Sequence, residues 1–566
     1  MPLIASLKLN AGPTDTTSPL EIPSAPITLF VGPNHSGKSV LLREIQRSIP
    51  SENPARGKVL HSTHLHPLDP KRVEKWRSEL KASATDIPAS PREAARVRVQ
   101  LGSSMHTLAK TEFESVLKGL DNFGTLRHAF HPWGHNVLNR IAMVQGGKER
   151  LGLLHDAERG DLRTKATSIL GILFQNDDER RRLQEIIHDA FDWYLVVDPT
   201  VGNNFRAAVS PEKPEPAIER SLSEASLAYF QRCTSLSEMS DGVKAFCGMM
   251  AAVIASDAEV ILIDEPEAFL TPAITINLAK QLCSETRQRE QQLFIATHSA
   301  AFLMGCIQAG VGVNIVRLTY RKGRATSRML SPGELTPLMR NPLLRSVGAL
   351  NGLFYESVVV CEADADRSFY DEINHRTLTV NDARGIPECL FLNAQNWQTV
   401  GRVAAPLRKL GVAAAVIVDA DVIQSKDSTG FQELLSSLGL PEGTRTALGQ
   451  IRGKFHARTK DQKDALKSAG TSSLSGDDKG DFENFVTQLS AYGIFLVPCG
   501  ELEGWLKTLT RPTWSGKAEW LISTFEAMGD DASSPAYLRA TAGDVWDFIG
   551  KIRQWLHDPC RKGMPI

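Results

Sequence analysis

At 566 residues the chain is too long for a single hydrophobic core, and its length allows about four domains. A hydrophobic content of 42%, a charged content of 23% and a formal net charge of -1 are those of ordinary globular protein and give no global electrostatic reason to bind nucleic acid, although a local basic groove remains compatible with them. Eight cysteines without a C-x-x-C pair suggest neither a zinc ribbon nor a disulfide framework, no apolar run reaches membrane-spanning length and MPLIASLKLN has no signal-peptide pattern, so a cytoplasmic chain with reduced thiols and no membrane partner is expected.

Residues 4–10 and 19–22 read as two short strands, with Gly12, Pro13 and Thr16 between them. The stretch 27–42, ITLFVGPNHSGKSVLL, follows: an apolar strand, Gly32, four residues including Asn34, then Gly37, Lys38 and Ser39, and a helix-spaced run. This is the G-x-x-x-x-G-K-[ST] phosphate loop in its proper context. Its glycines would turn backbone N–H groups toward phosphate oxygens at a helix N-terminus. Lys38 would reach the β- and γ-phosphates and Ser39 would ligate Mg²⁺, so ATP is the expected ligand.

Residues 58–66 read as another strand, and its histidines, His61, His64 and His66, lack an accompanying ligand set for a metal. From about 70 to 140 the pattern is charged and helical, which predicts a helical insertion. Residues 141–154, IAMVQGGKERLGLL, read as strand, Gly-Gly turn and strand. Residues 179–191 form an amphipathic helix pattern, WYLVVD and FRAAVS read as strands, and Pro211, Pro214 and Pro216 mark a loop.

In SLSEMSDGVKAFCGMMAAVIA, Ser240, Asp241 and Gly242 stand just before a long apolar helix, where they would offer N–H groups to a phosphate or serve as an ordinary helix cap. VILIDEPEAFL then delivers Asp264 and Glu265 at the end of a buried strand. Asp264 would hold the Mg²⁺ shell and Glu265 would polarise the attacking water. QLFIATHSAAFL ends a further strand in Thr297-His298-Ser299, with His298 placed to contact the γ-phosphate.

The order of phosphate loop, signature serine-glycine, Asp-Glu strand and histidine resembles the ABC ATPase superfamily, in the branch of SMC, RecF and OLD-type proteins, over residues 1–345. MSDGVK departs from the transporter LSGGQ and is similar to forms in the SMC-like branch. The resemblance implies that one subunit's signature completes another's ATP site, hence a homodimer or higher homo-oligomer through the heads. It also offers Gln145 as the glutamine that senses Mg²⁺, against an ordinary turn residue.

The pattern restarts near 340–354. FYESVVVCEADADRSFYDEI gives a strand ending at Glu362, with Asp364 and Asp366 leading into a helix; CLFLNA is a second strand, and VAAAVIVDADVI a third, ending in Asp419 and Asp421. Strand–helix repeats predict a parallel sheet with its ligand site at the strand C-terminal ends. Three acids gathered there need a cation, and oxygen ligands suit Mg²⁺ or Mn²⁺. Between 450 and 479, Lys454, Arg458, Lys460, Lys463, Lys467 and Lys479 predict a flexible basic loop, either a phosphate contact or a solvated surface.

Glu followed by Asp-x-Asp at strand ends resembles a Toprim domain, with Ala363 where a glycine is usual and Asp366 where OLD proteins carry a second acid. GIFLVPCGELEGWL resembles the acidic strand-end segment of that group, with Glu503 better placed than Glu501. The family's late lysine is matched to Lys517, with Lys551 behind it. Acids in two groups fit two-metal phosphodiester hydrolysis.

The expected fold is therefore α/β: an ABC-type (SMC/RecF-like) P-loop ATPase head over 1–345 with a helical insertion, followed by a Toprim α/β domain over 354–566. This pairing resembles the OLD (overcoming lysogenization defect) nuclease family. It implies an ATP-regulated, metal-dependent nuclease acting on DNA or tRNA, with a role in bacterial anti-phage defence and a partner protein there, as in the Gabija and PARIS systems. Two alternatives stand beside it: an ATP-driven sensor or scaffold with an inert Toprim domain, and a DNA-repair ATPase of the RecF or SMC kind.

Overall fold

The apolar strand before the phosphate loop, Ile27–Val31, is buried at every position, as a strand covered on both faces requires. In the computed structural model it lies inside a six-stranded sheet. The order is Arg324–Leu330, Val313–Arg321, Ile27–Val31, Gln292–Ala296, Val260–Asp264 and Ala142–Gln145. All neighbours pair in parallel except the Arg324–Leu330 edge strand, which is antiparallel. The parallel strands therefore end on one edge, where ligand sites of open α/β sheets form. The structure describes residues 2–14, 18–49, 57–66, 69–87, 95–101, 104–120, 142–147, 149–163, 166, 168–256, 258–321, 323–331, 333, 342–345, 347–459, 463–509 and 515–564.

The chain forms two compact units, Met1–Val31 with His35–Pro332, and Gly333–Ile566 with Gly32–Asn34. In the first, the strands Glu21–Pro23, Ile4–Leu9 and Leu60–Leu65 make a small antiparallel sheet. The phosphate-loop helix Lys38–Ser48 buries Leu41, Leu42 and Ile45. The amphipathic pattern near 179–191 forms the helix Asp177–Phe191, capped by Asn176, whose side chain accepts from the N–H groups of Asp178 and Glu179. The strands Tyr194–Asp198 and Asn204–Ser210 follow as an antiparallel pair. The helix Asp241–Ile254 is apolar almost all round, and from Ala245 to Ile254 every residue is buried.

Within 70–140, where the charge pattern predicts a helical insertion, the described residues hold strands as well as helices. After the helix Pro70–Ser83 come three antiparallel strands, Thr85–Ile87, Arg96–Leu101 and Ser104–Ala109, and then the helix Lys110–Gly119. Val97, Val99, Leu108, Trp76 and Val116 share one core with Phe30, Leu262 and Phe294 of the central sheet. The expected second strand of 141–154 is instead a short 3-10 turn, Glu149–Gly152. Residues 121–141 lie outside the described residues.

The second unit holds a four-stranded parallel sheet in the order Cys389–Asn393, Ser357–Cys361, Ala413–Val418 and Ile494–Leu496. The helices Asp364–Thr379, Lys517–Met528 and Asp544–His557 pack Phe369, Tyr370, Trp520, Trp546 and Ile549 against Val359, Ala415 and Phe495 of the sheet. The expected basic loop at 450–479 is largely helical, in the segments Glu442–Thr459, Lys463–Ala469 and Gly476–Ser490. There Arg458 is paired to Asp478 and Asp481 rather than left open to phosphate. All eight cysteines are free thiols. Among the described residues no helix is long and apolar enough to cross a membrane.

Candidate nucleotide site and carboxylate cluster

Gly37 precedes the helix Lys38–Ser48 with φ at +95°, a left-handed backbone that glycine adopts freely. A Cβ there would also lie 3.0 Å from Val59 Cγ2. The turn presents the helix N-terminus to the end of the strand, the arrangement that attracts phosphate. Gly32 has φ at +136° and Asn34 is exposed. Lys38 is 5% exposed, with its ammonium 3.2 Å from Ser36 Oγ. Burial lowers its pKa to about 8 against the pull of Glu265 and Asp264. A buried ammonium in that condition favours an anionic ligand.

Ser39 Oγ donates to Asp264 Oδ1 at 3.0 Å, so the two groups expected to share a Mg²⁺ shell are already adjacent. Burial raises the Asp264 pKa. Glu265 stands at φ +53°, a conformation costing a non-glycine residue roughly 1–2 kcal/mol. Its carboxylate is half exposed, with Oε1 3.6 Å from His298 Nε2. Burial and then Lys38 lower the His298 pKa, which keeps the ring neutral at pH 7. Gln145 is the last residue of its strand, which runs beside Val260–Asp264 with Gln145 opposite Ile263.

Ser240 occupies the N-cap position of the helix Asp241–Ile254, is exposed, and makes no side-chain capping hydrogen bond. Its hydroxyl is therefore not spent on the ordinary capping role. Gly242 has a packing reason: a Cβ there would meet the Phe269 carbonyl at 2.7 Å, so the helix start lies against the loop that follows Asp264-Glu265.

Two further residues join this site that the motif spacing does not mark. Glu267 is partly buried, and burial raises its pKa. It accepts from the His298 N–H at 2.7 Å and from Thr297 Oγ1 at 2.9 Å, so it fixes the turn that carries His298. An acid two residues beyond Glu265 is its only trace in the sequence. Arg150, 0% exposed, donates to the carbonyls of Glu265, at 2.7 Å, and Asp264. Nothing in GGKERLG distinguishes it from a solvated arginine.

In the second unit, Glu362 follows the strand Ser357–Cys361 and Asp419 follows the adjacent Ala413–Val418. Glu362 Oε1 accepts from the Asp419 N–H at 2.7 Å. Asp366, in the first turn of Asp364–Thr379, accepts from the Ala363 N–H at 3.1 Å. Lys517 begins the helix Lys517–Met528 and puts Nζ 3.1 Å from Asp366 Oδ1 and 3.8 Å from Asp419 Oδ2. Asp421 Oδ1 and Glu503 Oε2 are buried without a hydrogen-bond partner. Glu501 pairs instead with Lys467, at 3.5 Å. Lys551 is exposed on its helix.

Burial and the neighbouring Asp419 push the Glu362 pKa up to about 8, and burial pushes Asp419 up to about 7 despite Lys517. Burial works against the Lys517 charge, yet Asp419 and Asp366 together raise its pKa. The cluster thus has more carboxylates than its one ammonium neutralises, and its oxygens are of the donor type that a hard divalent cation takes. Among the described residues no three His, Cys, Asp or Glu side chains are gathered closely enough to hold a metal.

An AAA domain family model, described as a putative AbiEii toxin of a type IV TA system, matches residues 117–304. That stretch includes Ser240, Asp264, Glu265 and His298 and begins after the phosphate loop. No curated protein matches the chain. Among solved structures, an SmcHead bound to the C-winged helix domain of ScpA is 14% identical, covering 60% of this chain and 100% of that one at a TM-score of 0.34. An Smc head domain with an extended coiled coil, bound to the C-terminal domain of ScpA, from Pyrococcus furiosus is 14% identical, covering 60% and 99% at a TM-score of 0.31. The SMC head domain from Thermotoga maritima is 15% identical, covering 58% and 98% at a TM-score of 0.28. Over residues 117–304 the chain is thus similar to an AAA-type ATPase domain.

Proposed function

We propose that the chain is an ATP-regulated, divalent-metal-dependent nuclease, with nucleotide binding in the first unit as control and phosphodiester hydrolysis in the second as output. The observation that carries this reading is the acid cluster at the C-terminal ends of parallel strands. There Glu362 accepts from the Asp419 N–H, and Asp421 and Glu503 each hold a buried carboxylate oxygen without a hydrogen-bond partner. The Toprim resemblance of the same residues supports it.

In the first unit Lys38 would neutralise the phosphates, and Ser39 and Asp264 would hold Mg²⁺. Glu265 would orient the attacking water and accept its proton, with neutral His298 Nε2 beside its carboxylate. In the second, Glu362, Asp366, Asp419, Asp421 and Glu503 would hold Mg²⁺ or Mn²⁺, which when bound neutralises charge and acidifies water. The Asp419 N–H orients Glu362, and the Lys517 ammonium, held by Asp366, would balance charge on the phosphate. The substrate is DNA or a structured RNA such as tRNA, and the chain works as a homo-oligomer through its nucleotide-binding units. The toxin description of the matching family is in keeping with a part in bacterial defence.

One observation favours a second reading, a sensor with an inert second unit: Lys517 reaches both Asp366 and Asp419, and the acids are not gathered at metal-holding distances among the described residues. Purified protein incubated with supercoiled plasmid and with total tRNA, in Mg²⁺ or Mn²⁺ and with or without ATP, separates the two. Cleavage that vanishes in the Asp419→Ala, Asp421→Ala double variant is the expected result. Cleavage that persists in that variant overturns the cluster assignment, and no cleavage under any condition supports the sensor.

A further inference from the structure

Arg150 is fully buried in the first unit, and no carboxylate among the described residues pairs with it directly. Its guanidinium is spent on main-chain carbonyls. Nη1 donates to the Glu265 carbonyl at 2.7 Å, Nη2 to the Asp264 carbonyl, and Nε to the Gly146 carbonyl at 3.2 Å. Nη1 also lies 3.6 Å from Met249 Sδ on the helix that Ser240 caps. At the next turn of contact, a Cβ on Gly248 of that helix would come within 2.5 Å of the Arg150 carbonyl. One residue therefore touches the loop after Gln145, the signature helix and the end of the Asp264-Glu265 strand.

The consequence falls on Glu265. Its peptide N–H is held by the Ala296 carbonyl at 2.8 Å and its own carbonyl by Arg150, so both sides of a left-handed residue are fixed. The planar fork of arginine spans two consecutive carbonyls, which a lysine ammonium does not reproduce. We propose that Arg150 is a positioning residue for ATP hydrolysis, which locks the Glu265 backbone in its left-handed turn and transmits displacement of the signature helix to it. This rests on the ATPase reading of the first unit.

The test uses the full-length chain with Arg150→Met, which keeps the length and loses the donors, and Arg150→Lys. The expected result for Arg150→Met is a drop in kcat of about tenfold to a hundredfold, the scale of a misplaced catalytic group, with the Kd of a fluorescent ATP analogue little changed. Arg150→Lys is expected to recover only part of the loss. Because the residue acts through Glu265, Arg150→Met added to Glu265→Gln is expected to lower kcat no further, and amide exchange is expected to quicken over residues 265–270 with the phosphate-loop helix unaffected. Additive loss in the double variant, or amide exchange quickened throughout the first unit, overturns the positioning role in favour of a merely structural one. Wild-type kcat in Arg150→Met overturns it alone, whereas a wild-type chain without ATP turnover overturns the ATPase reading with it.

Discussion

Glu362 and Asp419 put an electrostatic constraint on the second unit, and its sign is readable in solution. Their folded pKa values, about 8 and about 7, stand above the ordinary 4.5 and 3.8 of Glu and Asp. Between about pH 4 and 8 the folded chain therefore binds more protons than the unfolded chain, and stability falls as pH rises. Lys517 adds nothing to this slope, because its ordinary value of 10.5 keeps it charged in both states and its folded value is higher still. Without divalent cations the melting temperature is expected to decline from pH 5 to pH 8 by the equivalent of a few kcal/mol. Glu362→Gln should flatten that decline, and Mg²⁺ at pH 8 should restore wild-type stability while doing little for the variant. A melting temperature that responds identically in both proteins would remove the cluster's charge as the cause. The acids themselves were legible because each follows a run of buried apolar residues. Glu267 and Arg150 were not, since an acid in DEPEAF and an arginine in GGKERLG acquire their meaning only from what buries them and which carbonyls or amides they meet.

At the scale of elements, the parallel strands and the helices that follow them were legible for a simple reason. A continuous apolar run ending in a charged or glycine-rich turn has few other uses. The segment 85–109 shows the limit. Val97 and Val99 alternate with Arg96 and Arg98 over a span too short and too charged to outweigh the helical pattern around it, and only packing against Trp76 and Val116 makes it a sheet. Between 450 and 479 the reverse occurs: lysines and serines read as loop, but buried Leu448, Arg452 and Phe455 anchor a helix. Glycines sort by the same test. Gly305 lies in the helix Ala300–Gln308 that follows His298, and a Cβ there would sit 2.5 Å from the Ile276 carbonyl and 2.6 Å from Ala279 Cβ. Gly305→Ala is expected to cost about 1–3 kcal/mol, by overpacking two helices against each other. Gly453, inside the helix Glu442–Thr459 with nothing near its absent Cβ, should gain about 0.5–1 kcal/mol on the same change. Urea denaturation of the two variants checks both signs, and a stabilising Gly305→Ala would contradict the close approach.

For the whole molecule the question is what completes the nucleotide site. On the proposed reading, Lys38, Ser39, Asp264, Glu265 and His298 would account for one side of a bound triphosphate, with Arg150 and Glu267 holding two of them in place. Ser240 stands at the start of a helix buried from Ala245 to Ile254, exposed and with its hydroxyl uncommitted to capping. Such a group gains a role if a second copy brings its phosphates there, which is the arrangement the ABC resemblance implies. Closing the site across two copies would make nucleotide occupancy a signal about assembly, and would explain why hydrolysis in one unit accompanies a separate acid cluster in the other. ATP with Mg²⁺ is accordingly expected to double the mass of Glu265→Gln in light scattering, because the variant binds nucleotide and turns it over only slowly. Ser240→Arg added to Glu265→Gln should keep the chain monomeric while the Lys38 side still binds the analogue. The Lys38→Ala chain should be monomeric because it binds none. If Ser240→Arg dimerises as Glu265→Gln does, the signature does not face a partner's nucleotide, and control of the acid cluster must be sought within one chain.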